Sequence, residues 1–200
     1  MANEGVDRGR RRFLVAATSV VGGAGVVAVA VPFLASWQPS ARAQAAGAPV
    51  EVNVSQIEPG QRISVGWRGR PVWLVRRTPE MLEALPTIRD RLRDPDSEET
   101  AQQPKYAQNE HRSIDPEILV LIGICTHLGC SPAYRPEMGA PDVGTDWAGG
   151  WLCACHGSRF DMAGRVYRNV PAPLNLEVPP YHFASDELII VGEHPDGGTA

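Results

Sequence analysis

The chain has 200 residues, 43% of them hydrophobic, which is enough for one membrane segment and one modest domain. Its formal net charge of -4 is unevenly spread. Residues 1–44 hold five arginines and two acidic residues, whereas the remainder holds 14 basic and 21 acidic residues, a net charge of -7. A basic N-terminus before an acidic body argues against nucleic-acid binding and favours a defined membrane topology.

Residues 1–12 end in three consecutive arginines and are predicted to be a cytoplasmic segment. Arg10 and Arg11 resemble the pair of a twin-arginine export signal. The alternative is a plain anchor whose arginines hold the N-terminus in the cytoplasm, and the two are compatible. Because the twin-arginine route carries folded proteins, it would suit a domain that is assembled before export.

Residues 13–35 are predicted to be a transmembrane helix, because no charged residue occurs between Phe13 and Ala41. At about 1.5 Å per residue, residues 13–34 give about 33 Å of helix, enough to span a bilayer. A cleaved signal peptide is the competing interpretation, with a possible cleavage site at Ala43. The apolar run exceeds the usual signal-peptide core, which favours a retained anchor.

Residues 36–49 are rich in Ala, Gln, Gly and Pro and show no apolar period. This composition predicts a flexible tether. It is either a passive linker or a hinge that lets the following domain move between two partners.

Residues 50–200 are predicted to form a mainly β domain, an antiparallel sandwich. Valines alternate with polar residues from Val50 to Val54, and Thr78 before Pro79 is typical of a helix start. The polar segment 94–112 is expected at the surface. Further strands are predicted at residues 63–65, 72–75, 117–124, 174–178, 181–184 and 187–191.

All four cysteines lie in two short boxes, CTHLGC at residues 125–130 and CACHGS at residues 153–158. Each box also carries one histidine, and two thiolates with two imidazoles are typical of a metal site. Structural zinc takes the same ligands, but a zinc finger joins a Cys pair to a His pair, whereas here each box offers one of each. Two Cys on one iron and two His on the other is the Rieske 2Fe–2S arrangement.

The two boxes resemble those of the Rieske protein in the quinol–cytochrome c reductase (cytochrome bc) complex. Each box has an extra cysteine that soluble Rieske ferredoxins and oxygenases usually lack. The resemblance implies a Rieske-type 2Fe–2S cluster held in a small cluster-binding subdomain, about residues 120–173. Its implied ligands are Cys125 and Cys153 on one iron and His127 and His156 on the other.

The resemblance also implies a disulfide between Cys130 and Cys155, although two free buried thiols are the alternative. A stable disulfide indicates an oxidising compartment. By the same resemblance, Pro171, Ala172 and Pro173 form a loop that covers the cluster, with an ordinary strand connection as the alternative.

Four further roles are implied near the cluster. His156 is the expected quinol contact, and Leu128 is expected to screen the cluster there. Ser158 is expected to give a hydrogen bond to cluster sulfur. Phe160 stands where the family often has tyrosine, so one hydroxyl donor is missing and a lower midpoint potential is predicted.

The implied function is that of an electron-transfer subunit in quinol–cytochrome c reductase, a translocase. It would accept an electron and a coupled proton from quinol on a cytochrome b subunit and pass the electron to a c-type cytochrome haem. The resemblance further implies a dimeric complex in the bacterial inner membrane, with a single-pass anchor and a periplasmic head. Two alternatives stay open: a subunit of another exported oxidoreductase such as arsenite oxidase, and a zinc-stabilised binding module.

Overall fold

The N-terminal unit contains a long helix. In the computed structural model, which describes residue 5 and residues 7–196 except the side chain of Ala46, the chain divides into units of residues 1–45 and 46–200. Helix α1 (Arg8–Ala35) begins where the Asp7 carboxylate accepts the N–H groups of Gly9 and Arg10. Because of this cap, the helix starts before the predicted residue 13 and includes the arginine pair. It is long and apolar enough to cross a membrane.

The predicted tether is not wholly irregular, because it contains helix α2 (Ala41–Gly47). The segment is rich in alanine, which has the highest helix propensity of all residues. A helix of seven residues is only marginally stable by itself in water, so the local sequence alone does not determine that a helix forms here.

The second unit contains three antiparallel sheets of three strands each. Their strand orders are β1-β9-β8, β2-β3-β4 and β5-β6-β7. One helix, α3, and three short 3₁₀ turns lie between strands β3 and β4. The elements are β1 (Val50–Asn53), β2 (Arg62–Trp67), β3 (Arg70–Arg76), α3 (Pro79–Thr87), β4 (Ile118–Ile122), β5 (Ala133–Arg135), β6 (Gly150–Cys153), β7 (Ser158–Phe160), β8 (Tyr181–Ser185) and β9 (Leu188–Val191).

The prediction of a mainly antiparallel β fold is confirmed, and the helix start at Thr78 is also correct, since its side chain accepts the N–H of Met81. The predicted strand at residues 174–178 is wrong. Its backbone N–H groups bond to separate loops, from Leu176 to Gly164 and from Val178 to Gln102, rather than to one neighbouring strand. Strands β5, β6 and β7 were not predicted, because they are short and β6 and β7 end or begin inside the second box.

Two stacked tryptophans connect the sheet of β3 to the sheet of β6. The Trp73 and Trp151 rings are 5.9 Å apart between centroids, with 7° between their planes. Both side chains are buried. Trp73 also fills the space beside Gly123, where an added Cβ would come within 2.2 Å of the indole. This close approach anchors the strand that leads into the first box.

Three arginines are buried around the turn that follows β7. Arg77 donates to the Met162 carbonyl at 3.2 Å, and Arg112 donates to the Ala163 carbonyl at 3.2 Å. Arg165 forms an ion pair with Asp161. Burial lowers the pKa of Arg77 and of Arg112 to about 10.

The prediction that segment 94–112 lies at the surface is therefore wrong for several of its residues, Arg112 among them. Arg112 is fully buried because backbone carbonyls accept its N–H groups. Ser97 and Gln103 in the same segment are buried as well. Through Arg112, the segment stabilises the turn that follows β7.

Candidate metal centre

The two boxes fold into matching turns. The N–H of Gly129 donates to the Cys125 carbonyl at 3.0 Å, and the N–H of Gly157 donates to the Cys153 carbonyl at 2.8 Å. Both glycines have left-handed backbones, with φ of +82° and +76°, which glycine adopts at little cost. Each turn begins at a predicted ligand cysteine and contains a predicted ligand histidine.

The four predicted ligands come together at these turns. Cys125 and Cys153 are both buried and carry free thiols, and Cys153 lies close enough to disfavour the thiolate form of Cys125. The His127 and His156 rings lie edge to face, with centroids 4.8 Å apart. The structure thus pairs thiol with thiol and imidazole with imidazole, as two metal positions with unlike ligands require.

Burial differs between the sulfur and nitrogen ligands. The thiols are buried, His127 is half-buried and His156 is exposed. Burial raises the pKa of the Cys125 thiol, so that this cysteine holds its proton until a metal displaces it. One end of the site is shielded from water and the other faces solvent.

The described residues fit an iron–sulfur cluster. His127 Nδ1 is buried and has no hydrogen-bond partner within the described part of the chain. A buried polar atom without a partner is rare, and metal coordination at that imidazole would satisfy the ring. Two thiolates and two imidazoles are the ligands of a Rieske centre, which these side chains could hold.

A disulfide ties the two turns together. Cys130 and Cys155 are bonded, with their Cα atoms 6.7 Å apart, so the alternative of two free thiols is wrong. The N–H of Cys125 also donates to the Cys130 carbonyl at 2.8 Å. The Cys153 sulfur lies within 4.8 Å of both disulfide sulfurs. The disulfide is therefore part of the wall of the site.

The predicted cover loop contacts the second turn. Ala172 is buried between the exposed Pro171 and Pro173, and its N–H donates to Ser158 Oγ at 3.0 Å. The hydroxyl of Ser158 in turn interacts with the Cys125 sulfur and favours its thiolate form. The serine thus lies between the cover and a predicted ligand.

Phe160 is fully buried in β7, opposite Trp151 of β6. It has no hydroxyl, so its ring cannot donate a hydrogen bond to a cluster sulfur. Leu128, in contrast, is 71% exposed beside His127. An exposed leucine next to two accessible imidazoles provides an apolar contact at the open end of the site.

The other histidines lie outside the two turns. His111 is half-buried and its carbonyl accepts from Arg77, His182 lies in β8, and the His194 ring contacts Tyr106. None of these observations gives them a ligand role.

Three features were not found from the sequence. The Thr126 hydroxyl donates to the Leu174 carbonyl at 2.7 Å and connects the first turn to the chain after the proline loop. Asp161 and Arg165 form a buried ion pair beyond the second box. The spacing of four residues between Asp161 and Arg165 is a weak sequence signal of an ion pair. The third feature is the burial of Arg112, which no sequence pattern indicates.

Comparison with known proteins identifies the family. A model described as the Rieske [2Fe-2S] domain matches residues 93–181, and one described as the TAT signal of the ubiquitinol-cytochrome C reductase Fe-S subunit matches residues 1–40. The ubiquinol-cytochrome c reductase iron-sulfur subunit of Allochromatium vinosum is 58% identical over 200 residues, 100% of this chain and 95% of that one. The subunit of Blastochloris viridis is 41% identical over 184 residues, 92% of each chain.

A eukaryotic relative extends the same likeness. The mitochondrial Rieske subunit of the cytochrome b-c1 complex in Saccharomyces cerevisiae is 38% identical over 191 residues, which cover 94% of this chain and 79% of that one. The full-length match to the Allochromatium vinosum subunit includes the N-terminal helix and both cysteine–histidine turns. The chain therefore belongs to the family of Rieske [2Fe–2S] iron–sulfur subunits of ubiquinol–cytochrome c reductase.

Proposed function

We propose that this chain is the electron-transfer subunit that takes an electron from quinol and delivers it to a c-type cytochrome haem. The observation that carries the proposal is the pair of accessible imidazoles, His127 and His156, beside two buried free cysteines. The family relatives are named as subunits of that oxidoreductase, which favours it over an arsenite oxidase subunit.

Each ligand has a defined task in this proposal. Cys125 and Cys153 would hold one iron in the buried part of the site, and His127 and His156 would hold the other at the open end. When bound, the cluster supplies a one-electron carrier whose potential is raised by replacing two anionic thiolates with neutral imidazoles. The disulfide and the proline loop keep the two turns in place and exclude water from the sulfur side.

The quinol side of the reaction uses exposed groups. The exposed His156 ring would accept a hydrogen bond from a quinol hydroxyl and then hold its proton. Leu128 provides apolar surface for the quinol ring and screens the imidazoles from water. His156 and Leu128 are both exposed to solvent. A quinol bound on another subunit can contact them only if they are exposed.

Membrane placement follows from the N-terminal unit. We assign residues 1–12 to the cytoplasm, residues 13–35 to the inner membrane and residues 50–200 to the periplasm. The match to an export-signal family and the apolar helix α1 support a single-pass anchor. The disulfide supports an oxidising compartment for the head. Protease treatment of spheroplasts should cut the head and leave the anchor protected; a protected head would contradict this topology.

Residues 36–49 are proposed to let the head reach cytochrome b, where quinol binds, and then the c-type cytochrome, within a dimeric complex. Helix α2 lies in this segment. Unwinding this helix would lengthen the segment and so extend the distance that the head can cover. Locking residues 36–49 by crosslinking should slow turnover while sparing reduction of the cluster by quinol. Normal turnover after crosslinking would refute a hinge.

The decisive experiment is low-temperature EPR of the dithionite-reduced protein in its membrane, titrated against potential and pH. A rhombic 2Fe–2S signal whose midpoint potential falls at high pH establishes a histidine-ligated, proton-coupled cluster. Iron and zinc are quantified in the same sample. If protein produced with ample iron contains zinc and gives no such EPR signal, the electron-transfer function is contradicted and a structural metal module is indicated.

A further inference from the structure

The proline loop, residues 171–173, has few backbone groups that can hold it in place. Proline has no N–H, so Ala172 supplies the one amide donor of these three residues. That donor is used on Ser158 in the second cluster turn, at 3.0 Å. Within the loop, carbonyl oxygens are left for further attachment, and they need donors from another part of the chain.

Arg93 supplies such donors at both ends of the loop. Its Nη2 donates to the carbonyl of Val170, the residue before the loop, at 3.2 Å. Its Nη1 donates to the carbonyl of Pro173, the last residue of the loop, at 3.4 Å. The charge of the guanidinium strengthens each contact, and its planar fork fixes the separation of the two carbonyls. One side chain therefore bridges the loop from end to end.

The backbone around Arg93 is itself attached to both flanks of the loop. The N–H of Arg93 donates to the Val166 carbonyl at 2.9 Å, and the neighbouring Leu92 is fully buried. The Asp94 carbonyl accepts Asn175 Nδ2 at 3.0 Å, and Asn175 Oδ1 accepts the N–H of Val166 at 2.8 Å. The Arg93 side chain lies at the surface, but it extends from a backbone that is anchored before and after the loop.

We propose that Arg93 is a positioning residue for the cluster: by bridging the two ends of the proline loop, it holds the Ala172 N–H on Ser158 Oγ. The inference rests on the proposed electron-transfer function. The Ser158 hydroxyl acts on the predicted ligand Cys125, and it loses its orienting partner whenever the loop lifts. Arg93 thereby affects the midpoint potential through the loop and Ser158.

The first test measures the loop directly, by hydrogen exchange and mass spectrometry of the intact complex. Because the two prolines have no amide hydrogen, exchange within the loop reports on Ala172. Arg93→Gln should raise this exchange rate about tenfold, since the Ala172 N–H then separates from Ser158 more often. Arg89→Gln is the control, because it removes a nearby exposed arginine that pairs with Asp96, and it should leave the rate unchanged. An unchanged rate in Arg93→Gln would overturn the proposal.

The second test separates an effect through Ser158 from an effect of the Arg93 charge. In redox titrations followed by EPR, Arg93→Gln should lower the midpoint potential, by less than Ser158→Ala does. The double variant Arg93→Gln, Ser158→Ala should have the same potential as Ser158→Ala alone, because the loop then has no hydroxyl to orient. Additive shifts, or an unchanged potential in Arg93→Gln, would overturn the proposal.

A third variant, Arg93→Lys, keeps the charge but replaces the fork by a single ammonium on a flexible stem. We expect its exchange rate and midpoint potential to be close to those of Arg93→Gln. Wild-type values in Arg93→Lys would show that the charge matters and the bridge does not. If the wild-type complex gives no 2Fe–2S signal, the proposed function fails, whereas the exchange measurement still tests the bridge. The two failures are therefore distinguishable.

Discussion

The N–H of Ala172 donates a 3.0 Å hydrogen bond to Ser158 Oγ, and both residues are fully buried. This contact joins the proline loop to the second cluster turn. The serine hydroxyl accepts from Ala172 and keeps its own proton free to donate. Burial raises the pKa of the Cys125 thiol, and Ser158 acts in the opposite direction by favouring the thiolate. The proline loop therefore also holds in place a hydroxyl that acts on a predicted ligand.

The variant Ser158→Ala should lower the midpoint potential of the cluster by about 60 mV. That is about 1.4 kcal/mol for a one-electron couple, the order of one hydrogen bond to a charged group. The reason is that a hydroxyl donor stabilises the reduced, more negative state. A redox titration by EPR measures the value. Ser113→Ala is the control, because Ser113 is buried but bonds to Arg77. Equal potentials in Ser158→Ala and wild type would contradict the assignment.

The variant Phe160→Tyr should raise the midpoint potential. Phe160 lies in β7, two residues after Ser158, and a tyrosine hydroxyl would add the donor that this chain lacks. We expect a change of the same order, about 60 mV for one hydrogen bond. Phe183→Tyr, in β8, adds a hydroxyl outside the cluster turns and should leave the potential unchanged. An unaltered or lower value for Phe160→Tyr would show that the missing hydroxyl does not set the potential.

Replacing both Cys130 and Cys155 by alanine should weaken retention of the cluster. The bond joins residues 25 apart, and in the chain-entropy model its loss costs about 3.5 kcal/mol. The two turns would then separate more readily and release iron. Iron content and the EPR signal are followed during heating of the membrane complex, beside wild-type complex with and without reductant. Equal iron retention in the variant and the oxidised wild type would refute a stabilising role.

The variant Arg112→Met should destabilise the head by about 3 kcal/mol, because the Ala163 and Gly164 carbonyls lose their buried donor. The substitution also removes the electrostatic repulsion between the Arg112 and Arg165 guanidinium groups, which offsets part of this cost. The thermal midpoint of unfolding is measured by loss of the cluster signal. Arg89→Met is the control, because its pair with Asp96 is exposed and such pairs contribute less than about 1 kcal/mol. Similar midpoints for the two variants would show that the buried contacts are not needed.

Much of the fold was predictable where one local pattern decided it. The alternating valines gave β1, and the Thr78 cap with Pro79 gave the start of α3. Residues 174–178 looked equally strand-like, but their backbone partners lie in three different segments, which no local pattern can reveal. Helix α2 was missed for a related reason: its composition suits both a helix and a linker.

The ligand chemistry was determined by the sequence itself, because four cysteines and two histidines in two boxes leave few alternatives. The left-handed glycines at positions 129 and 157 follow from the same boxes. Only the tertiary structure decided what surrounds them. The burial of Arg112, the hydrogen bond from Ala172 to Ser158 and the contacts of Arg93 with both ends of the proline loop each join segments far apart in the chain. Such contacts depend on how sheets and loops pack, and packing is a property of the whole domain rather than of any short segment.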